Sequence, residues 1–202
     1  AHVDQPQLTI QKDGNWVSGL LPESNAPVTV TVKSGATVKG VGYATSNLTG
    51  QFEMHIFDGG GNPLTIAEGD EVILSQPETS VAVPPLTLNI DVENDRISGR
   101  GPANALLRIS YFDMLYSLNR SVATDPNGDY VLDVREIGDL RDGSRVEDNY
   151  RNPQGHLIRL ERYAGTTLSA ALNTSRIWVN APDIHLPVTV TVARGGAVIG
   201  TD

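Results

Sequence analysis

The sequence has no cysteine among its 202 residues, which excludes a disulfide framework, thiolate chemistry and cysteine-ligated metal sites. Lysine is scarce as well. Three lysines and twelve arginines stand against 24 acidic residues, giving a net charge of −9 and a pI near 4.8. Nucleic-acid binding relies on clustered basic residues to displace counterions, so no such partner is expected. Aromatic residues make up only 5 % of the chain, and no segment carries a sustained helical stripe. Nor does any apolar run approach the roughly 18 residues of a membrane-spanning helix. What the chain does have is turn chemistry: 20 glycines and 12 prolines divide it into short alternating runs, the composition of strands and tight bends. An acidic, lysine-poor surface resists nonspecific association and suits a secreted or surface-displayed protein. An extracellular or cell-surface location is therefore expected.

The runs repeat at an interval of about 80 residues. Leu8, Ile10, Val17, Ser18 and Gly19 recur as Leu88, Ile90, Ile97, Ser98 and Gly99, and the segment returns near Leu168, Ile177 and Val179. Pro22, Pro102 and Pro182 keep the same step, and Pro27-Val-Thr-Val-Thr-Val32 reappears letter for letter as Pro187 to Val192. Within the units the apolar positions alternate: Val28, Val30 and Val32 match Leu107, Ile109 and Tyr111, while Phe52, Met54 and Ile56 match Tyr130, Leu132 and Val134. A shared inward set with free outward positions is what a common core requires. The pattern predicts an all-β chain of tandem immunoglobulin-like β-sandwiches of about 80 residues each, with partial units at both ends. The expected division is a terminal strand segment at 1–15, units at 16–93 and 94–174, and a partial third unit at 175–202. Trp16–Gly19 reads as an edge-type strand. Junctions at Val92–Arg96 and Asn173–Arg176 are short enough to hold neighbours in a semi-rigid line.

The succession Ile97-Ser-Gly99, Pro102, Thr124-Asp-Pro-Asn-Gly-Asp-Tyr130, Gly143 and Tyr150-x-Asn-Pro-x-Gly155 resembles bacterial Ig-like tandem repeats. These are the carboxypeptidase regulatory-like and fibronectin-like modules of secreted and cell-surface proteins. The resemblance implies spacers, stalks, adhesive segments or appendages to enzymes elsewhere in a chain. Its motifs are turns and core positions, so it carries no functional residue across.

The ends suggest two origins. Leu8 and Ile10 read as the last strand of a preceding unit, and Val188, Val190 and Val192 as an opening strand whose partners are missing. Either the chain is a piece of a longer array, or the open C-terminal half-unit accepts strands from a neighbouring copy by β-strand complementation, a head-to-tail contact that propagates. The expected partners are copies of itself or adjacent modules, with polysaccharide as the alternative ligand and Trp16, Trp178 and several tyrosines as a possible stacking platform.

No cofactor, metal or catalytic residue is expected. Asp125-Pro-Asn-Gly-Asp129 superficially resembles a calcium loop, but its glycine comes fourth and no bidentate Glu follows, so a strand-connecting turn is expected. His2, His55, His156 and His185 stand in unrelated contexts, no nucleophile elbow is present, and no carboxylate pair is set apart. Asn47, Asn119 and Asn173 begin N-glycosylation sequons. The expected function is a non-enzymatic extracellular structural protein, a surface, stalk or filament subunit. A carbohydrate-binding or adhesive module is the alternative.

Overall fold

The computed structural model describes residues 5–113, 117–136, 138–170, 177–180, 189–194 and 197–201. Among them every regular element is a strand. The first series is β1 (Gln7–Gln11), β2 (Trp16–Leu20), β3 (Pro27–Ser34), β4 (Thr37–Thr45), β5 (Gln51–His55), β6 (Phe57–Asp58), β7 (Asp70–Ser75) and β8 (Glu78–Ala82). The second is β9 (Thr87–Asp91), β10 (Arg96–Arg100), β11 (Leu106–Phe112), β12 (Ser117–Ala123), β13 (Asp129–Asp133), β14 (Arg145–Arg151) and β15 (Leu157–Tyr163). The last is β16 (Thr167–Ala170), β17 (Ile177–Asn180), β18 (Thr191–Arg194) and β19 (Ala197–Thr201). They form a seven-stranded sheet in the order β12-β11-β14-β15-β1-β2-β5, a five-stranded sheet β6-β4-β3-β7-β8, a three-stranded sheet β13-β10-β9, and the pairs β16-β17 and β18-β19.

Strand registers recur with the sequence interval. Gln7 pairs with Leu20, Thr87 with Arg100 and Thr167 with Asn180. The β3–β4 hairpin shifts register between Val32 and Lys33, and β18–β19 shifts between Val192 and Ala193, the same place two intervals on. A bulge inserts one residue and re-aims everything after it, so its recurrence fixes the register and not merely the strand type.

The turns recur atom for atom. Ser46 Oγ accepts the Ala26 amide, as Thr124 Oγ1 accepts that of Ala105. Asn47 Oδ1 accepts the amides of Thr49 and Gln51, and Asp125 Oδ1 those of Asn127 and Asp129. Each is an Asx turn whose side chain stands in for a backbone acceptor, closed by a glycine with positive φ, Gly50 or Gly128. Any β-carbon at Gly128 would lie 2.4 Å from the Gly101 carbonyl oxygen, so the turn and the start of the preceding loop interlock.

Sheets pack on each other through alternating apolar positions. Met54 and Ile56 lie against Gly42 of β4 in the facing sheet. In the second series Tyr130 of β13 donates its hydroxyl to Asp148 Oδ2 of β14 at 3.0 Å, crossing from the three-stranded to the seven-stranded sheet. The buried side chains, Leu8, Ile10, Val17, Val30, Leu74, Ile97, Ile109, Val146 and Ile158 among them, form one connected core.

Three local expectations differ from the pairing. Trp16–Leu20 is an interior strand with β1 on one side and β5 on the other, because residues before Asn15 supply its second partner. Leu8 and Ile10 open the first hairpin in the register that Leu88 and Ile90 hold in the second. Val92–Arg96 forms the bend of the β9–β10 hairpin, with Asp95 at φ 48°, and the passage between the two strand series is instead the stretch from Val83 to Leu86. Asn173–Arg176 lies outside the described residues.

Candidate functional site

The seven-stranded sheet exists because β1 adds in parallel to β15, pairing Thr9 with Leu157, Ile10 with Ile158 and Gln11 with Arg159. Alternation then sorts the sheet into two faces. Leu8, Ile10, Val17, Phe52, Leu107, Ile109, Val146 and Ile158 are buried inward. The outer face carries two grooves. One, of about 690 Å³, is lined by Gln7, Thr9, Trp16, Ser18, Gln51 and Glu53 with their neighbours. The other, of about 380 Å³, is lined by Arg108, Ser110, Asn119, Asn149, Arg151 and Arg159 among others. They adjoin where Thr9, on the rim of the first, pairs with Leu157, on the rim of the second.

Charge on this face is organised locally. Glu147, nearly buried, takes Arg145 at 3.2 Å and Arg159 at 3.7 Å, and the Arg145 guanidinium sits 4.4 Å from the Phe112 ring centre. Arg108 and Arg151 are exposed and form no ion pair among the described residues; Arg151 donates to the Gly155 carbonyl. The equivalent outer positions on β10 and β13 are different. There Arg96 pairs across from Asp133 and Arg100 from Asp129, with an Arg100–Asp129 bridge of 3.1 Å, where β2 and β5 place Trp16 across from His55 and Leu20 across from Gln51.

The β1–β15 seam also has buried polar contacts. The Leu8 amide donates to His156 Nδ1 at 3.2 Å, and burial pushes the His156 pKa below its ordinary value. Arg162 reaches Asp13 at 2.5 Å and Lys12 reaches it at 2.9 Å. Burial pushes the Asp13 pKa up, but its hydrogen bonds and charge contacts with Lys12 and Arg162 hold it below the carboxylate norm. Deeper in the core, Asp148 is fully buried and its Oδ1 has no hydrogen-bond partner among the described residues. Desolvation pushes its pKa up to about 7, against the lowering effect of the Tyr130 hydrogen bond, and raises that of Tyr130 in turn.

No family model matches the chain, and neither does any curated protein. Solved structures similar at a distance include the following two. One is a tetra-tandem repeat from the extending region of a large adhesion protein, 15 % identical, with a TM-score of 0.33. The alignment covers 81 % of this chain and 52 % of that one, so the chain spans about half its length. The other is a structure of neurohormone perception by the receptor tyrosine kinase Torso, 10 % identical, covering 81 % and 75 %, with a TM-score of 0.27.

The residues singled out from sequence do not converge. Leu8 and Ile10 are buried between β2 and β15. Val190, just before β18, is half-buried, Val192 is 39 % exposed on β18 in a separate two-stranded sheet, and Val188 lies outside the described residues. Asn47 is exposed, with its amide spent on the turn. Asn119 is exposed on β12 and accepts from Ser110, and Asn173 is outside the described residues. Asp125 caps its turn, its backbone hydrogen bonds holding its pKa low. Among the described residues no three His, Asp or Glu side chains gather as a metal site, and no helix is long and apolar enough to cross a membrane. His55 faces outward and meets Asn15 at 3.0 Å, while His2 and His185 are outside the described residues.

Sequence reasoning missed Asp148, His156 in its seam role, and the Arg108–Arg151 groove. A signal for the first is present in the repeat. By register Tyr130 stands where the first series has Phe52, and Asp148 where it has Leu74, so two apolar positions have become a hydrogen-bonded pair.

Proposed function

We propose that the chain is a run of tandem immunoglobulin-like sandwiches acting as a non-enzymatic structural segment of an extracellular or cell-surface protein, a surface, stalk or filament element. The observation that carries this is the recurrence of hairpin register, bulge and Asx turn at the sequence interval, since an array needs the same unit rebuilt with the same edges. On this reading the units divide at Val83–Leu86, and β16 to β19 supply the opening hairpins of a third. Partners are adjacent modules of the same kind or further copies. Donation of β1 to a neighbour would first require taking it from both β2 and β15, so head-to-tail contact is assigned to the later pairs β16–β17 and β18–β19.

Single-molecule pulling on the full chain from its two ends tests the reading. Two separate unfolding events are expected, each releasing about 80 residues, or roughly 27 nm of contour at about 3.4 Å per residue. Loss of all structure in one event contradicts it.

A further inference from the structure

We propose that the outer face of the seven-stranded sheet binds an anionic polysaccharide, a chain of carboxylate-bearing sugars lying across the strands from the Trp16 groove to the Arg108 groove. This does not depend on the array reading. The first support is charge. The protein carries −9 overall, yet one groove sets Arg108, Arg151 and Arg159 against a single carboxylate, Glu147, which Arg145 and Arg159 already take, so among the described residues Arg108 and Arg151 have no ion-pair partner. An exposed guanidinium without a carboxylate of its own is complementary to one brought by a ligand, which it can hold through two parallel N–H donors.

The second support is the polar character of the surrounding side chains. The Asn119 amide at one groove, and Gln7, Ser18 and Gln51 beside Glu53 at the other, offer donors and acceptors of the kind a sugar hydroxyl shell requires, while Ser110 and Asn149 are engaged with Asn119, Arg108 and Arg159. Trp16 adds a flat apolar surface for the C–H face of a pyranose ring. Adjoining grooves on one sheet provide a path of up to about 29 Å, six strand spacings of about 4.8 Å, long enough for several sugar residues. The third support is the internal control: at the corresponding positions Arg100 of β10 is bridged to Asp129 of β13, and Asp133 is taken by Arg135. The same scaffold thus presents one face where an arginine and an aspartate are bridged and one where, among the described residues, two exposed arginines have no carboxylate partner. An acidic peptide would use the arginines but would leave the indole and the amides beyond them without a role.

Calorimetric titration of the full chain with hexagalacturonate, cellohexaose and poly-glutamate tests this. Binding of hexagalacturonate is expected with a dissociation constant on the order of 0.1 to 1 mM. The double change Arg108→Gln and Arg151→Gln should weaken it roughly tenfold, and Trp16→Ala by a similar factor. Both arginines are exposed, so the double variant keeps the strand spectrum and the test survives if Trp16→Ala unfolds. Absence of binding at millimolar sugar overturns the proposal. So does equal affinity for cellohexaose, equal affinity for poly-glutamate, or hexagalacturonate binding unchanged in the arginine variant. Self-association that is lost in the arginine variant, without sugar binding, would assign the face to a second copy and overturn it too.

Discussion

Asp148 and His156 are both buried, and their protons oppose each other. Asp148 stays protonated in the folded chain up to about pH 7, whereas an unfolded Asp ionises near 3.8. The folded state therefore binds more protons between those values, and stability falls as pH rises through the window, by up to about 4 kcal/mol in total. Asp148→Asn keeps an acceptor for Tyr130 and removes the titration. Urea unfolding should show the variant losing far less stability than the parent between pH 5 and pH 8; equal losses would refute the assignment. His156 has its pKa lowered by burial, so its contribution is present above pH 6.5 and is lost as pH falls below it, when the unfolded chain takes up the proton first. Its neutral Nδ1 is the acceptor for the Leu8 amide. His156→Ala orphans that buried amide at an expected cost of about 1–3 kcal/mol, seen as faster hydrogen exchange at Leu8. At Gly99 a β-carbon would lie 1.9 Å from the Thr87 carbonyl oxygen, a backbone atom that cannot turn aside. Gly99→Ala is expected to cost about 3 kcal/mol in chemical unfolding by forcing β9 and β10 apart.

At the scale of elements, β1 holds two strand series in one sheet, its Ile10 lying across from Val17 on one side and from Ile158 on the other. Ile10→Ala should cost about 2–5 kcal/mol through the cavity it leaves. Hydrogen exchange should speed up in β2 and β15 together; a response confined to β2 would mean that the parallel seam is not formed in solution. Most strands were legible in the sequence, since period-two alternation such as Val28, Val30 and Val32 names both the strand and its buried face. The turns were legible because an Asx residue followed by glycine has few other uses, and the Asp125 segment sits where a connecting turn was expected. The partners of β1 were not. Alternation states which face of Leu8 and Ile10 is buried but says nothing about which edge is taken, and a parallel neighbour some 150 residues away leaves no local signal. The same limit placed a junction at Val92–Arg96, where polar residues between two apolar runs serve equally as linker or hairpin bend. The outer-face grooves were hidden for a related reason. Arg108, Arg151 and Trp16 stand on three strands far apart in sequence, and only the merged sheet puts them on one surface.

At the scale of the whole molecule, hairpin registers recur at the sequence interval among the described residues while surface and core chemistry change. Phe52 and Leu74 give way to Tyr130 and Asp148 inside, and Trp16 and Leu20 to Arg96 and Arg100 outside, while the hairpins that carry them keep their pairing. Recurring edges with free faces are what the proposed array requires, each unit then presenting its own surface. The most direct test is the set of cross-strand nuclear Overhauser contacts in the isotope-labelled full chain. Contacts between Leu8 and Gly19, Leu88 and Gly99, and Leu168 and Val179 are expected in all three hairpins; a different register in any of the three would contradict the repeat.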